Sequence, residues 1–234
     1  MFGWISGERK KTRRMVDLSG AYDGGAQGVL SGITAGTKIA TSIGWREAGA
    51  IQEGDMVLTF DGGMQRVAKV TRRQLWSGAG HCPKAFWPLL VPVGGIDNAE
   101  PMMVLPRQGV MLESDLAEEA LGDPFALVPA AALEGVRGVE RVCPTDPIEV
   151  VSLHFEADQV VFAEHGALLF CPSGGDLVQI ALRGSVQHCP YQMLSEPCAV
   201  ELVQGLERSE ECDSCLYALH AARLDPSRGL QVAA

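Results

Sequence analysis

The 234-residue chain has no apolar run approaching the roughly 18 consecutive residues that a membrane-spanning helix needs. No spanning segment is therefore expected. It also shows no secretory leader: the basic run near its start is followed by VDLSGAYDGGAQG, which offers no apolar stretch of the required length. The expectation is a cytoplasmic protein, with secretion by a route that uses no such leader left open. Cysteine is present in an odd number, seven, at uneven spacing, which argues against a closed disulfide framework. No internal repeat of solenoid period is found. Positive charge is scarce outside one place. Residues 8–14 carry Arg9, Lys10, Lys11, Arg13 and Arg14 against Glu8, and removing that +4 from the net −10 leaves the remainder near −14. An acidic body repels phosphate backbones, so no nucleic acid is expected as its partner. The basic head fits a solvated arm, and could alternatively touch a nucleic acid or an anionic membrane surface.

What is present is enough apolar residue, 47%, to bury the core of one sizeable domain. Residues 1–27 combine the charge run with Gly20, Gly24 and Gly25 among small polar residues, a composition that buries little, and read as a basic, Gly-rich arm. The domain is expected over 28–170 and reads as mostly β, built of short strands and hairpins. Residues 38–42 are rich in β-branched side chains, Gly44-Trp45 and Glu53-Gly54-Asp55 read as turns, and Asp61-Gly62-Gly63 closes the strand before it into a hairpin whose return spans 65–73. Glycines and prolines scattered over 77–100 exclude continuous helix there. Ser114 can cap a short helix over 115–121, with acidic residues in its first turn and Gly122 ending it before Pro124. Alternation over 148–155 and 159–163 predicts two strands joined as a hairpin through 156–158. The remaining 171–234 read as a partly helical extension, with helix-forming composition over 201–222.

Three motifs carry a resemblance. ITAGTKIAT at 33–41 is followed by EGDMVLT at 53–59; LPRQGVML at 105–112 by ALVPAAAL at 126–133; and IEVVSLHFEADQVVFAEHG closes the run at 148–166. Together they resemble the Hint domain, the module shared by hedgehog proteins and inteins, in the subgroup common in bacteria. The resemblance covers about residues 29–170 and implies a Hint-type β fold. It also implies an activity, autoprocessing, in which the domain's first residue, a Cys or Ser, attacks the preceding carbonyl and turns an amide into a thioester or ester. The step further requires a histidine to protonate the departing amine and donors to hold the oxyanion.

Several of these parts are replaced. Aligning Thr34-Ala35-Gly36-Thr37 with the family's TPGT puts Gly32 at the nucleophile position, and glycine has nothing to attack with. Ser31 stands one residue early and serves only if the register slips, cutting between Leu30 and Ser31 by an N–O acyl shift. The family's first histidine falls on Gln108, which carries no proton to an amine near neutral pH. Its later histidines fall on Ser152 and Asp158, leaving His154, two residues from Ser152 on the same strand face, as a stand-in acid. The candidate catalytic set is thus Ser31, Gln108 and His154, with no cofactor or metal expected, and His165 reads as a loop residue. The favoured reading is a catalytically degenerate, non-splicing module acting as a folded interaction or structural unit, whose protein partner the sequence does not name. The rival is active self-cleavage at Ser31. A third is a thiol or zinc role for Cys212-Asp-Ser-Cys215, half a four-ligand site whose other half would come from Cys189, Cys198, His188 or His220.

Overall fold

The computed structural model describes residues 21–23, 26–78, 80–173 and 191–206. It begins with β1 (Ala21–Asp23) and β2 (Ala26–Gly28), an antiparallel pair with Tyr22 opposite Gln27. The arm expected over 1–27 therefore ends in paired backbone: a composition poor in apolar side chains limits burial, not ladder hydrogen bonding. The strands that follow are β3 (Ile33–Thr34), β4 (Lys38–Thr41), β5 (Gly44–Glu47), β6 (Met56–Thr59), β7 (Gly63–Arg66), β8 (Lys69–Gln74), β9 (Leu89–Val91), β10 (Met102–Val104) and β11 (Gly109–Glu113). After α1 (Asp115–Leu121) come β12 (Phe125–Pro129), β13 (Glu140–Arg141), β14 (Glu149–His154), β15 (Gln159–Ala163) and β16 (Ala167–Cys171). A second helix, α2, occupies 196–206.

The mostly β architecture resolves into two antiparallel sheets. One runs β13-β9-β10-β3-β14-β8, the other β12-β11-β16-β15-β4-β6-β7 with β5 attached to β4. Ile39, Val57, Leu89, Val104, Val128, Val151, Val161 and Leu169, drawn from both sheets, are fully buried in one apolar cluster. Val67, also buried there, marks where the chain leaves β7 in one sheet for β8 in the other. The polar return over 65–73 is thus two strands, not one.

Helix α1 matches its sequence signals to the residue. Ser114 Oγ accepts from the amides of Leu116 and Ala117, and Gly122 takes the left-handed conformation, φ 78°, that ends the helix.

Two local expectations are corrected. Gly44 and Trp45 are not the turn. Ser42 and Ile43 make it, and Gly44 opens β5 with its carbonyl accepting from Thr41 Oγ1 at 2.6 Å. Strands β14 and β15 do not form a hairpin together. β14 pairs with β8 over six residue pairs and with β3, whereas β15 pairs with β16, β4 and β6. Alternation reports which face a residue occupies and says nothing of its neighbour; buried Phe155 sits at the corner where the chain changes sheets.

The helical tail is part of the body. Leu194 N–H donates to the Leu127 carbonyl at 2.8 Å, Met193 bridges Leu127 in parallel, and Ala199 and Val203 of α2 are buried in the main cluster. Helix therefore begins five residues before the expected 201, and residues 207–222 of that expectation lie outside the described residues. No helix among the described residues is long and apolar enough to cross a membrane. Because Val203 is fully buried, Val203→Ala is expected to lower the unfolding free energy by about 2 kcal/mol in urea denaturation. A loss under about 0.5 kcal/mol, typical of a surface site, would mean that α2 does not pack as described.

Candidate functional site

The site is built on the stretch leading into β3. Ile33 pairs with Val104 of β10 on one side and Val151 of β14 on the other, so β3 lies inside the six-stranded sheet. The residues ahead of it are equally tied in. Gly28 bridges Trp76, Val29 N–H donates to the Leu75 carbonyl at 2.9 Å, and the Leu30 carbonyl accepts from Arg107 N–H at 2.8 Å. Gly28 lies so close under Phe86 that an added Cβ would be 2.3 Å from its ring. Val29 packs with Leu75, Leu105 and Val150 in a small apolar cluster of its own.

Gln108 closes this arrangement from the other sheet's end. Its side chain is 2% exposed. Oε1 accepts from Gly32 N–H at 2.9 Å and from Ser31 Oγ at 3.3 Å, while Nε2 donates to the carbonyls of Phe170 at 2.7 Å and Gly109 at 3.1 Å. A backbone N–H on one side and two carbonyls on the other fix which way the carboxamide points, and both its amide hydrogens are engaged. Ser31 and Gln108 are thus brought together, as the sequence suggested, but the amide oxygen that meets the hydroxyl is a poor base. The arrangement ties the segment ahead of β3 to the start of β11 and the end of β16.

Gly32 has a backbone φ of 131°, and an added Cβ would fall 2.5 Å from Val150 Cγ1 and 3.3 Å from Ser152 Oγ. Real Cβ atoms do not approach another heavy atom so closely. The space a nucleophilic side chain would occupy is filled by a valine, and the backbone conformation is one that L side chains rarely adopt.

His154 stands at the far end of β14, opposite Lys69. Its Nδ1 is buried without a hydrogen-bond partner, and no hydrogen bond links it to Ser31 or Gln108. The side chains of this strand that do approach residue 32 are Val150 and, as its polar group, Ser152. Burial pushes the imidazole below its ordinary 6.5; a hydrogen bond with the Pro172 backbone opposes that, and the Lys69 charge adds to it. His165 lies in the β15–β16 turn, with φ 65°, stacked on Trp45 at 4.2 Å between ring centroids.

One buried polar group escaped the sequence reading. Glu164, 4% exposed, accepts the Lys38 backbone N–H on Oε1 at 2.7 Å, and its own backbone bonds the Lys38 carbonyl and the Ala99 amide. It caps the start of β4. A charged residue within VVFAEHG was the available signal, since an acid in such an apolar run is either at a turn or holding a backbone amide. Cys171 is buried in apolar surroundings that push its thiol up to about 12, so it is inert as a nucleophile. No group of three metal-ligating side chains occurs among the described residues, and Cys212, Cys215, Cys189, His188 and His220 lie outside them.

A family model described as the Hint domain matches residues 32–168, more than half of the chain, and begins at Gly32. The chain belongs to the Hint domain family. No curated protein matches it. Among solved structures it is similar to a bacterial intein-like domain from Clostridium thermocellum, with 15% identity, 60% of this chain and 99% of that one covered, and a TM-score of 0.43. It is similar also to a splice-inactive variant of the AceL NrdHF class 3 split intein, with 16% identity, 62% and 99% covered, and a TM-score of 0.39. A third is the MchDnaB-1 intein carrying an N145AA change, with 16% identity, 60% and 99% covered, and a TM-score of 0.39. At such values these likenesses say nothing of how the site works here.

In this Hint domain, Gly32→Ala is expected to lower the unfolding free energy by about 3 kcal/mol, overpacking and the backbone conformation both contributing. Chemical denaturation measures it, and a change below about 1 kcal/mol would mean that the position has room. His154, with its folded pKa depressed, binds fewer protons than the unfolded chain between that value and 6.5. Its stabilising contribution is therefore complete above pH 6.5 and lost as pH falls through the folded pKa. His154→Gln should flatten the stability profile in that window; an unchanged slope would contradict the assignment.

Proposed function

We propose that this chain is a non-cleaving Hint module, a folded interaction or structural unit that keeps the segment ahead of residue 32 attached. The observation that carries the reading is Val150 Cγ1 occupying the position where a side chain on residue 32 would begin. Three further features support it. The upstream residues 28–31 are bonded into the body through Trp76, Leu75, Arg107 and Gln108. The carboxamide in place of the family's first histidine has no free hydrogen to donate. His154, the stand-in acid, makes no bond to Ser31. Each missing acid or oxyanion donor removes on the order of 10²-fold in rate, so several together leave no useful turnover. On this reading the partner is a protein, the acidic body repels nucleic acid, and the compartment is the cytoplasm.

The competing reading, self-cleavage between Leu30 and Ser31, has one observation in its favour: Arg107 N–H already donates to the Leu30 carbonyl and would hold its oxyanion. Ser31 Oγ would attack that carbon while its own amide nitrogen leaves as the amine. No acid is placed to protonate that nitrogen, and the hydroxyl's nearest partner is an amide oxygen. Intact mass of the full chain after days at neutral pH, with and without hydroxylamine, separates the two. The proposed reading predicts a single full-length mass, identical for Ser31→Ala. A product lacking the residues before Ser31, absent from Ser31→Ala, would establish cleavage.

A further inference from the structure

Away from this site, two cysteines are brought by their backbones to the neighbourhood of one tryptophan, Trp87. β13 pairs with β9 so that Arg141 faces Leu89, and the ladder runs on as Val142 N–H donates to the Pro88 carbonyl at 3.0 Å. Arg141 Nη1 also reaches the Trp87 carbonyl at 3.3 Å. Cys143 follows directly, so continuing the same antiparallel register carries it toward Trp87. From the other side, the Trp87 indole N–H donates to the Cys82 carbonyl at 2.8 Å, folding the chain at 82 back onto the same ring. Both cysteines are free, Cys143 exposed and Cys82 half-buried. Burial raises the Cys82 thiol above its ordinary value, and negative charge on Cys143 raises it further.

We propose that Cys82 and Cys143 are a redox pair that closes to a disulfide across Trp87, with a small-molecule disulfide of the glutathione class as oxidant. Cys143, the more exposed, attacks first as thiolate: its sulfur bonds one sulfur of the small disulfide and the other leaves as a thiolate. The Cys82 thiolate then attacks the Cys143 sulfur, forming the protein disulfide and expelling the second small thiolate. Two protein thiols have lost two electrons and two protons, and the small disulfide has become two thiols.

The bond ties residues 80–88 to the end of β13. That stretch carries Phe86, which lies over Gly28 and stacks on Trp76 at 5.3 Å between centroids. Oxidation therefore fastens the cover over the segment leading into Gly32, and reduction releases it. This holds whether or not the domain cleaves itself.

The test uses the full chain, incubated with oxidised glutathione, alkylated and mapped by mass spectrometry. The expected product is one cross-linked peptide pair containing Cys82 and Cys143, formed ahead of any other bridge and lost in Cys143→Ser, where Cys82 carries at most glutathione. Limited proteolysis within 80–88 should be several-fold slower in the oxidised protein and unchanged by glutathione in Cys143→Ser. Separate glutathione adducts on both cysteines of the unaltered chain would overturn the proposal, since they would show Cα atoms held beyond the roughly 4.4–6.8 Å that a disulfide spans. Retention of both free thiols would overturn it equally.

Discussion

A single buried carboxamide holds the centre of this molecule together. Gln108 joins three stretches of backbone that are distant in sequence: the approach to β3, the start of β11 and the end of β16. Each of its bonds is of ordinary strength, worth about 1 kcal/mol net. Their importance lies in the alternative. The side chain is inaccessible to water, so removing it strands an N–H and two carbonyls at about 1–3 kcal/mol for each group left unpaired. A histidine has one donor and one acceptor in its neutral form and could not satisfy the same three backbone groups. The amide is suited to a brace in the way that an imidazole is suited to proton transfer.

The brace and the glycine depend on each other. For Gly32 N–H to point at Gln108, the backbone takes φ 131°, and in that conformation the missing Cβ would lie inside Val150. Val150 in turn completes the small cluster with Val29, Leu75 and Leu105, each contributing roughly 1.5–3 kcal/mol by burial. On the proposed reading, the chain ahead of β3 is thereby a structural member rather than a passenger leading up to a cut. Restoring a nucleophile at residue 32 would require a smaller residue at 150 and a different backbone there, and each would loosen the cluster that now keeps the segment in place.

How far the sequence could be read follows from the range of the forces involved. Ser114 and Gly122 delimit α1 because capping acts within one turn, and a glycine at position 32 could be placed at the family's nucleophile position because the motif around it is local. The Ser31–Gln108 contact was legible only through the family pattern. Strand partners were not: β14 and β15 are adjacent in the chain and alternate cleanly, yet they belong to different sheets, since β8 offers β14 a longer ladder. The filling of residue 32's space by Val150, and the docking of α2 through Ala199 and Val203, are likewise long-range packing outcomes that periodicity does not encode. Within the stretch read as an extension for want of a recognisable motif, Cys171, Ala199 and Val203 supply core side chains of the domain itself.

The central claim is that the backbone at residue 32 is permanently engaged by Gln108 while the chain ahead of it stays covalently attached. Native-state hydrogen exchange of the Gly32 amide, followed by NMR on the uncut chain, addresses both halves at once. The account predicts a single protected resonance for Gly32 that exchanges only through global unfolding, with the opening free energy of the slowest core amides of β14 and β15. Rapid exchange at Gly32 while those strands remain protected would contradict it, and so would a second Gly32 resonance arising from a chain cut ahead of it.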